Sequence, residues 1–317
     1  MNLPDLLRKK FAGAERQNGG CIMKKIPFTG SAVAIVTPFI GDKIDYDAFG
    51  EMIDTQITHK TDAIVVCGTT GEASTMPTEE HIEAIEFAVK KTAGRVPVIA
   101  GTGSNDTLHA IGLTKAAEDA GADAVLSVTP YYNKANQSGL CEHFKAIANA
   151  ISIPVILYNV PSRTGLNISI DTLKELAKVD NIVAIKEASG NISYAARVAA
   201  EVPELFMYSG NDDMIVPIMS LGAKGVISVA ANILPEEVHN ICEYYDKGDT
   251  KAALKLQLDM LELVNMLFIE VNPVPIKTAM RELGYPVGDL RLPLGEMDKA
   301  DFDKLKKALE KYGVKKL

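Results

Sequence analysis

The sequence predicts an α/β fold, a (β/α)8 TIM barrel with a C-terminal helical extension, and three observations carry that prediction. Short apolar runs recur eight times, segments of helical spacing lie between them, and no glycine fingerprint follows the first run. Parallel strands need helical crossovers, and eight of them close naturally into a barrel. The competing arrangement, an open doubly wound sheet, would show that fingerprint where Thr37-Pro38-Phe39 stands.

The runs open, in order, at Ser31 (SAVAIVT), Ala63 (AIVV), Val98 (VIA), Ala124 (AVLSV), Val155 (VILY), Ile182 (IVAI), Phe206 (FMYS) and Gly225 (GVISV). They are continuous and brief, as strands buried on both faces are. Between them, residues 78–91, 106–120, 140–150 and 192–202 have helical spacing, punctuated by Gly94, Gly121 and Pro203. Beyond Gly248 no strand pattern returns. Residues 251–268, 276–283 and 298–312 read as helices, the last with Phe302, Leu305 and Leu309 on one face, and Asn272-Pro273-Val274-Pro275 separates the first two. The expected organisation is therefore a barrel over 23–248 and a helical extension over 249–317. Residues 1–22 lack a hydrophobic period and precede a second methionine, Met23, so they read as a non-native or disordered leader. No Gly-, Ser- or Pro-rich linker divides the rest.

Composition narrows the function. The chain has 317 residues, 47% hydrophobic and 23% charged, which suits a globular protein with a large core. A formal charge of -8 argues against nucleic acid or an anionic membrane as partner and favours small molecules. No run reaches the ~18 residues of a membrane span and no signal-peptide core is present, so a cytoplasmic location is expected. Cys21, Cys67, Cys141 and Cys242 are scattered without a CxxC, and the five histidines form no HxH or HExxH. Neither a disulfide framework nor a metal site is expected.

The chemistry centres on NIVAIKEASG, residues 181–190. Side chains alternate along a strand, which puts Ile182, Ala184 and Lys186 on one face and ends an apolar face on an ammonium. An ordinary lysine, with a pKa of about 10.4, is almost wholly protonated at neutral pH, whereas desolvation lowers that value and creates a nucleophile for Schiff-base chemistry. The plain alternative is a snorkelling lysine paired with Glu187. In a barrel the reacting groups gather at the C-terminal ends of the strands. Gly68-Thr69-Thr70-Gly71-Glu72 follows the second run and offers hydroxyls and amides to a carboxylate. Thr129-Pro130-Tyr131-Tyr132-Asn133 follows the fourth, and Tyr158-Asn159-Val160-Pro161-Ser162-Arg163-Thr164-Gly165 the fifth. Alone, each has an ordinary reading as a tight turn, packed tyrosines or a surface arginine. Together with Lys186 they assemble a nucleophile, proton carriers and two anion-binding elements.

GTTGE, SVTPYYN, ILYNVPSRTG, AIKEASG and GVISVAAN, in this order and spacing, resemble the 4-hydroxy-tetrahydrodipicolinate (dihydrodipicolinate) synthase family, within the pyruvate-dependent class I aldolases. The resemblance runs from Ile26 to about Leu309 and implies a reaction of pyruvate with L-aspartate 4-semialdehyde without a cofactor or metal. It implies that Lys186 forms the Schiff base, and that Tyr158, Thr69 and Tyr132 form a proton relay. Thr69 and Thr70 would hold the pyruvate carboxylate and Arg163 that of the semialdehyde, with Gly210 and Ile227 completing the pocket. In relatives the residue at Tyr132 enters a neighbouring subunit's site, which implies a homodimer at least and a homotetramer, a dimer of dimers, as the fuller assembly. Relatives inhibited by lysine bind it at positions matching Ala73, Ser74, Thr78, His81, Asn105, His109 and Tyr131. Two of these depart from the sensitive pattern, Thr78 standing for a histidine and His109 for a glutamate, so the effector site reads as vestigial. The alternatives are N-acetylneuraminate lyase or a 2-keto-3-deoxy sugar acid aldolase, which Arg163 disfavours because a sugar aldehyde presents hydroxyls at that end. A pyridoxal-phosphate barrel is disfavoured by the acidic Asn211-Asp212-Asp213, and a non-catalytic barrel by the retained reactive residues.

Overall fold

Each of the eight apolar runs becomes a buried strand, and each pairs in parallel with the next. The computed structural model describes residues 24–317. The expected leader and Met23 lie outside the described residues. The strands are β1 (Gly30–Ala34), a hairpin of β2 (Phe39–Ile40) and β3 (Lys43–Ile44), then β4 (Ala63–Val66), β5 (Val98–Gly101), β6 (Ala124–Val128), β7 (Val155–Asn159), β8 (Ile182–Glu187), β9 (Phe206–Ser209) and β10 (Gly225–Ser228). All except the hairpin close into one barrel in sequence order, with β10 pairing back onto β1. The seam is tight. A Cβ on Gly225, whose φ is 142°, would lie 1.8 Å from the carbonyl oxygen of Gly30, so only glycine lets these two strands meet at their start.

The crossovers are helical: α1 (Tyr46–Thr58), α2 (Thr78–Thr92), α3 (Thr107–Ala120), α4 (Gln137–Asn149), the short α5 (Pro161–Thr164), α6 (Ile170–Leu176), α7 (Ile192–Glu201), α8 (Ile215–Met219) and α9 (Pro235–Asp246). Local chemistry starts many of them, since Asp45, Asp106, Asn136, Ser169 and Asn191 each accept a hydrogen bond from a first-turn amide. Helices α1, α5, α6, α8 and α9 go beyond those the spacing singled out. The α8 segment, IVPIM, is apolar on every side and contains a proline, so it has no amphipathic period to read. The extension consists of α10 (Thr250–Met266), α11 (Val274–Glu282) and α12 (Lys299–Tyr312), matching the three expected helices within a few residues.

Two cores result. Ala32, Ala34, Val65, Ile99, Leu126, Ile156 and Ile227 fill the barrel interior, while outward residues such as Val33, Ile64 and Ile185 pack against the helices. Each fully buried branched side chain contributes about 1.5–3 kcal/mol. One expectation fails locally. The register between β7 and β8 shifts between Val155 and Ile156, and Ile182 joins the outer core while Val183 and Ala184 join the inner one. This β-bulge interrupts the strict alternation and leaves Ala184 and Lys186, without Ile182, on the inward face.

Candidate active site

Lys186 stands one residue before the end of β8 and is 6% exposed. Its register partners are Tyr158 on β7 and Tyr208 on β9. The ammonium lies 4.3 Å from the centroid of the Tyr158 ring, a geometry in which the π-face attracts the cation. Glu187 does not pair with it. That carboxylate faces the opposite side of the strand, where it accepts from Asn159 Nδ2 at 2.7 Å, from the Ser189 amide at 2.7 Å and from the Ser189 hydroxyl. Burial pushes the Glu187 carboxyl above the usual carboxylate range, and these donors oppose the shift. Among the described residues Lys186 makes no salt bridge, so the snorkelling, paired alternative does not hold. Space around the amine is fixed by Gly210: a Cβ there would lie 2.5 Å from Ala188 Cβ and 3.0 Å from Lys186 Cε. Asp212, buried beyond it, accepts from the Ser228 hydroxyl and from the amides of Val229 and Ala230, tying the ends of β9 and β10 together next to Ile227. Burial raises its carboxyl as well, with Lys186 among the influences that lower it.

The loop after β4 carries Thr69 and Thr70 in a tight turn closed by the Gly71 amide on the Gly68 carbonyl, 3.1 Å. Thr70 is buried, and its hydroxyl accepts from Asn272 Nδ2 at 3.0 Å. Arg163 stands on α5, held by its Nη2 donating to the Asn272 carbonyl at 2.8 Å. It is exposed, and one of its nitrogens is already engaged. Asn272 therefore touches both Thr70 and Arg163, the expected carboxylate binders, and its own Oδ1 is buried without a partner. Sequence reasoning missed this residue, because Asn-Pro reads only as a helix break. The tyrosines behave differently. Tyr158 lines the interior, whereas Tyr132, in the left-handed region at φ 71°, is 92% exposed. Among the described residues no hydrogen bond joins Tyr158, Thr69 and Tyr132, so the expected relay is not assembled within one chain.

A family model, the dihydrodipicolinate synthetase family, matches residues 27–312. The chain belongs to this family. A 4-hydroxy-tetrahydrodipicolinate synthase of Caldicellulosiruptor bescii is 57% identical over 288 residues, covering 90% of this chain and 98% of that protein. The dihydrodipicolinate synthase structure from Aquifex aeolicus superposes with a TM-score of 0.88 at 46% identity, covering 90% of this chain and 99% of that one. That of the chloride-inhibited dihydrodipicolinate synthase from Acinetobacter baumannii, complexed with pyruvate, gives 0.87 at 44% identity over the same shares.

The dihydrodipicolinate synthetase resemblance also pointed to an effector site, and its positions are only partly brought together. Thr78 Oγ1 and His109 Nε2 lie 3.4 Å apart, with Ser104 Oγ 3.4 Å from the other ring nitrogen. Asn105 offers its carbonyl to Asn133 Nδ2 in the loop that carries Tyr131. His81 is instead turned into the barrel wall, where its Nε2 meets the Gly101 carbonyl at 2.8 Å, and burial holds the imidazole below its ordinary pKa. Cys67, Cys141 and Cys242 are buried and unpaired with one another. Glu270, Asp298 and Asp301 cluster on the extension, where Glu270 already accepts from the Asp298 amide.

Proposed function

We propose that the chain has 4-hydroxy-tetrahydrodipicolinate synthase activity, condensing pyruvate with L-aspartate 4-semialdehyde on the way to diaminopimelate and lysine. The observation that carries this is Lys186: buried, free of any carboxylate partner among the described residues, and facing the Tyr158 ring at the C-terminal end of a barrel strand. The Lys186 amine adds to C2 of pyruvate and water leaves, forming an imine; loss of a C3 proton gives the enamine. C3 then attacks the aldehyde carbon, whose oxygen becomes the new hydroxyl. Finally the amino group of the semialdehyde adds to C2, and breaking the C2–Nζ bond releases the ring and restores Lys186. No external cofactor is needed, because the lysine supplies the imine nitrogen.

In this reading Tyr158 moves protons at the imine, Thr69 and Thr70 receive the pyruvate carboxylate, and Arg163 receives that of the semialdehyde through its planar fork. Gly210 and the Ile227 backbone shape the pocket wall. The exposure of Tyr132 supports its acting in a neighbouring subunit, so that a homodimer is the minimum complete enzyme and a homotetramer its fuller form. The cytoplasm is the compartment this reading assigns. A sugar-acid aldolase would share Lys186 but not the Arg163 position at the rim. Borohydride reduction with pyruvate, followed by peptide mass spectrometry, tests the assignment. A single adduct on Lys186, lost with turnover in Lys186→Ala, is the expected result; normal turnover in that variant would overturn it.

A further inference from the structure

The mechanism leaves a second buried lysine unused. Lys277, on α11, is 0% exposed and donates to Glu72 Oε1 at 2.8 Å and to the Asp289 carbonyl at 2.8 Å. Its ammonium lies 4.3 Å from the centroid of Phe39, against which the Arg291 guanidinium also packs, at 3.9 Å. Burial pushes Lys277 down from the ordinary lysine range, and Glu72 opposes the shift. Glu72 is the last residue of the GTTGE turn, is equally buried, and sits in the left-handed region at φ 57°, uncommon for a residue with a Cβ. Its second oxygen accepts the Arg291 amide at 2.9 Å. Both carboxylate oxygens are thus held by the C-terminal extension, more than two hundred residues away in sequence.

Burying two charges is a poor way to gain stability, since well-packed apolar residues of the same size serve as well or better. What a carboxylate with both oxygens engaged provides is orientation. We propose that the Glu72–Lys277 pair is a positioning device for the reaction, holding the 68–72 turn so that Thr69 and Thr70 meet the carboxylate of the 2-oxo acid. The proposal rests on the role assigned to that turn above. Asn272, from the same extension, meets the turn at Thr70 and gives it a second anchor. The extension is then part of the active site, even though Lys186 and Tyr158 both stand on barrel strands.

The test separates positioning from stability. In Glu72→Met with Lys277→Met, the buried volume is filled and no charge is left alone. Its thermal midpoint is expected at or near that of the parent. The pyruvate concentration giving half-maximal borohydride trapping on Lys186 is expected to rise about ten-fold, the worth of one charge-assisted hydrogen bond, while the trapping rate at saturation stays near that of the parent. An unchanged half-saturation in this stable double variant overturns the proposal. Should that variant fail to fold, Glu72→Gln replaces it. Its amide must turn an N–H toward one of two donors, so a several-fold rise is expected and parental half-saturation overturns the proposal. Thr70→Val distinguishes the two layers of the argument. If it leaves pyruvate binding unchanged, the carboxylate role of the turn fails and the positioning role with it. If it weakens pyruvate while the double variant does not, only the positioning role fails.

Discussion

Gly210→Ala probes how closely the barrel wall confines the reactive amine. The new methyl would lie 2.5 Å from Ala188 Cβ, 3.0 Å from Lys186 Cε and 3.1 Å from the Glu187 carbonyl. Nonbonded carbons prefer about 3.5–4.0 Å, so Ala188 must recede by about 1 Å and the lysine methylene by about half that or more. The backbone there has little freedom, because the Gly210 amide donates to Glu187 at 2.7 Å and Glu187 is clasped by Asn159. Lysine is the more flexible partner, so it yields along with Ala188. Overpacking of this kind costs about 1–3 kcal/mol, or roughly 2–4 °C of midpoint for each kcal/mol in a large domain. Activity should suffer more, since misplacing a reacting group by about 1 Å can cost on the order of 10²-fold. Steady-state kinetics and the borohydride trapping rate should fall together by about 10- to 100-fold. Values within about two-fold of the parent, in a variant whose midpoint does drop, would show that the lysine does not depend on this contact.

Arg163→Ala should weaken use of aspartate semialdehyde by about 10- to 30-fold, the lower part of the range for a charged contact because Arg163 is exposed and half engaged at Asn272. Pyruvate trapping should survive, and its equal loss would refute the division of roles. Lysine should inhibit weakly or not at all, since an imidazole at His109 supplies no negative charge for the ligand's ammonium. Restoring it with His109→Glu should strengthen binding roughly 10- to 150-fold in a coupled assay at pH 8, and half-inhibition of the parent well below millimolar would refute this. Burial holds His81 below its ordinary pKa. The folded state therefore resists the proton that the unfolded chain binds below about pH 6.5, and the stabilising contribution present above that value fades as pH falls. Thermal midpoints of the parent and His81→Gln should accordingly converge between about pH 7 and pH 5; a gap that widens would refute the neutral, wall-facing assignment.

What could be read from the amino-acid sequence is what is written in short windows. Short apolar runs set the eight barrel strands, which are four to six residues long, and a lysine closing one such run marked the reactive position, because strand periodicity and burial are properties of near neighbours. Even there a single bulge moved Ile182 to the other face, since register depends on the adjacent strand. The rest lies between residues far apart. Thr70 meets Asn272 across 202 positions, Glu72 meets Lys277 across 205, and Arg163 meets Asn272 across 109. Taken singly these are a turn threonine, a surface-type glutamate, a helical lysine and an asparagine before proline, all ordinary where they stand. Only closure of the barrel, with the extension folded over its rim, removes water from them together. In that low-dielectric setting an unpartnered charge or amide is costly, and it is this cost that selects the pairings no local pattern encodes.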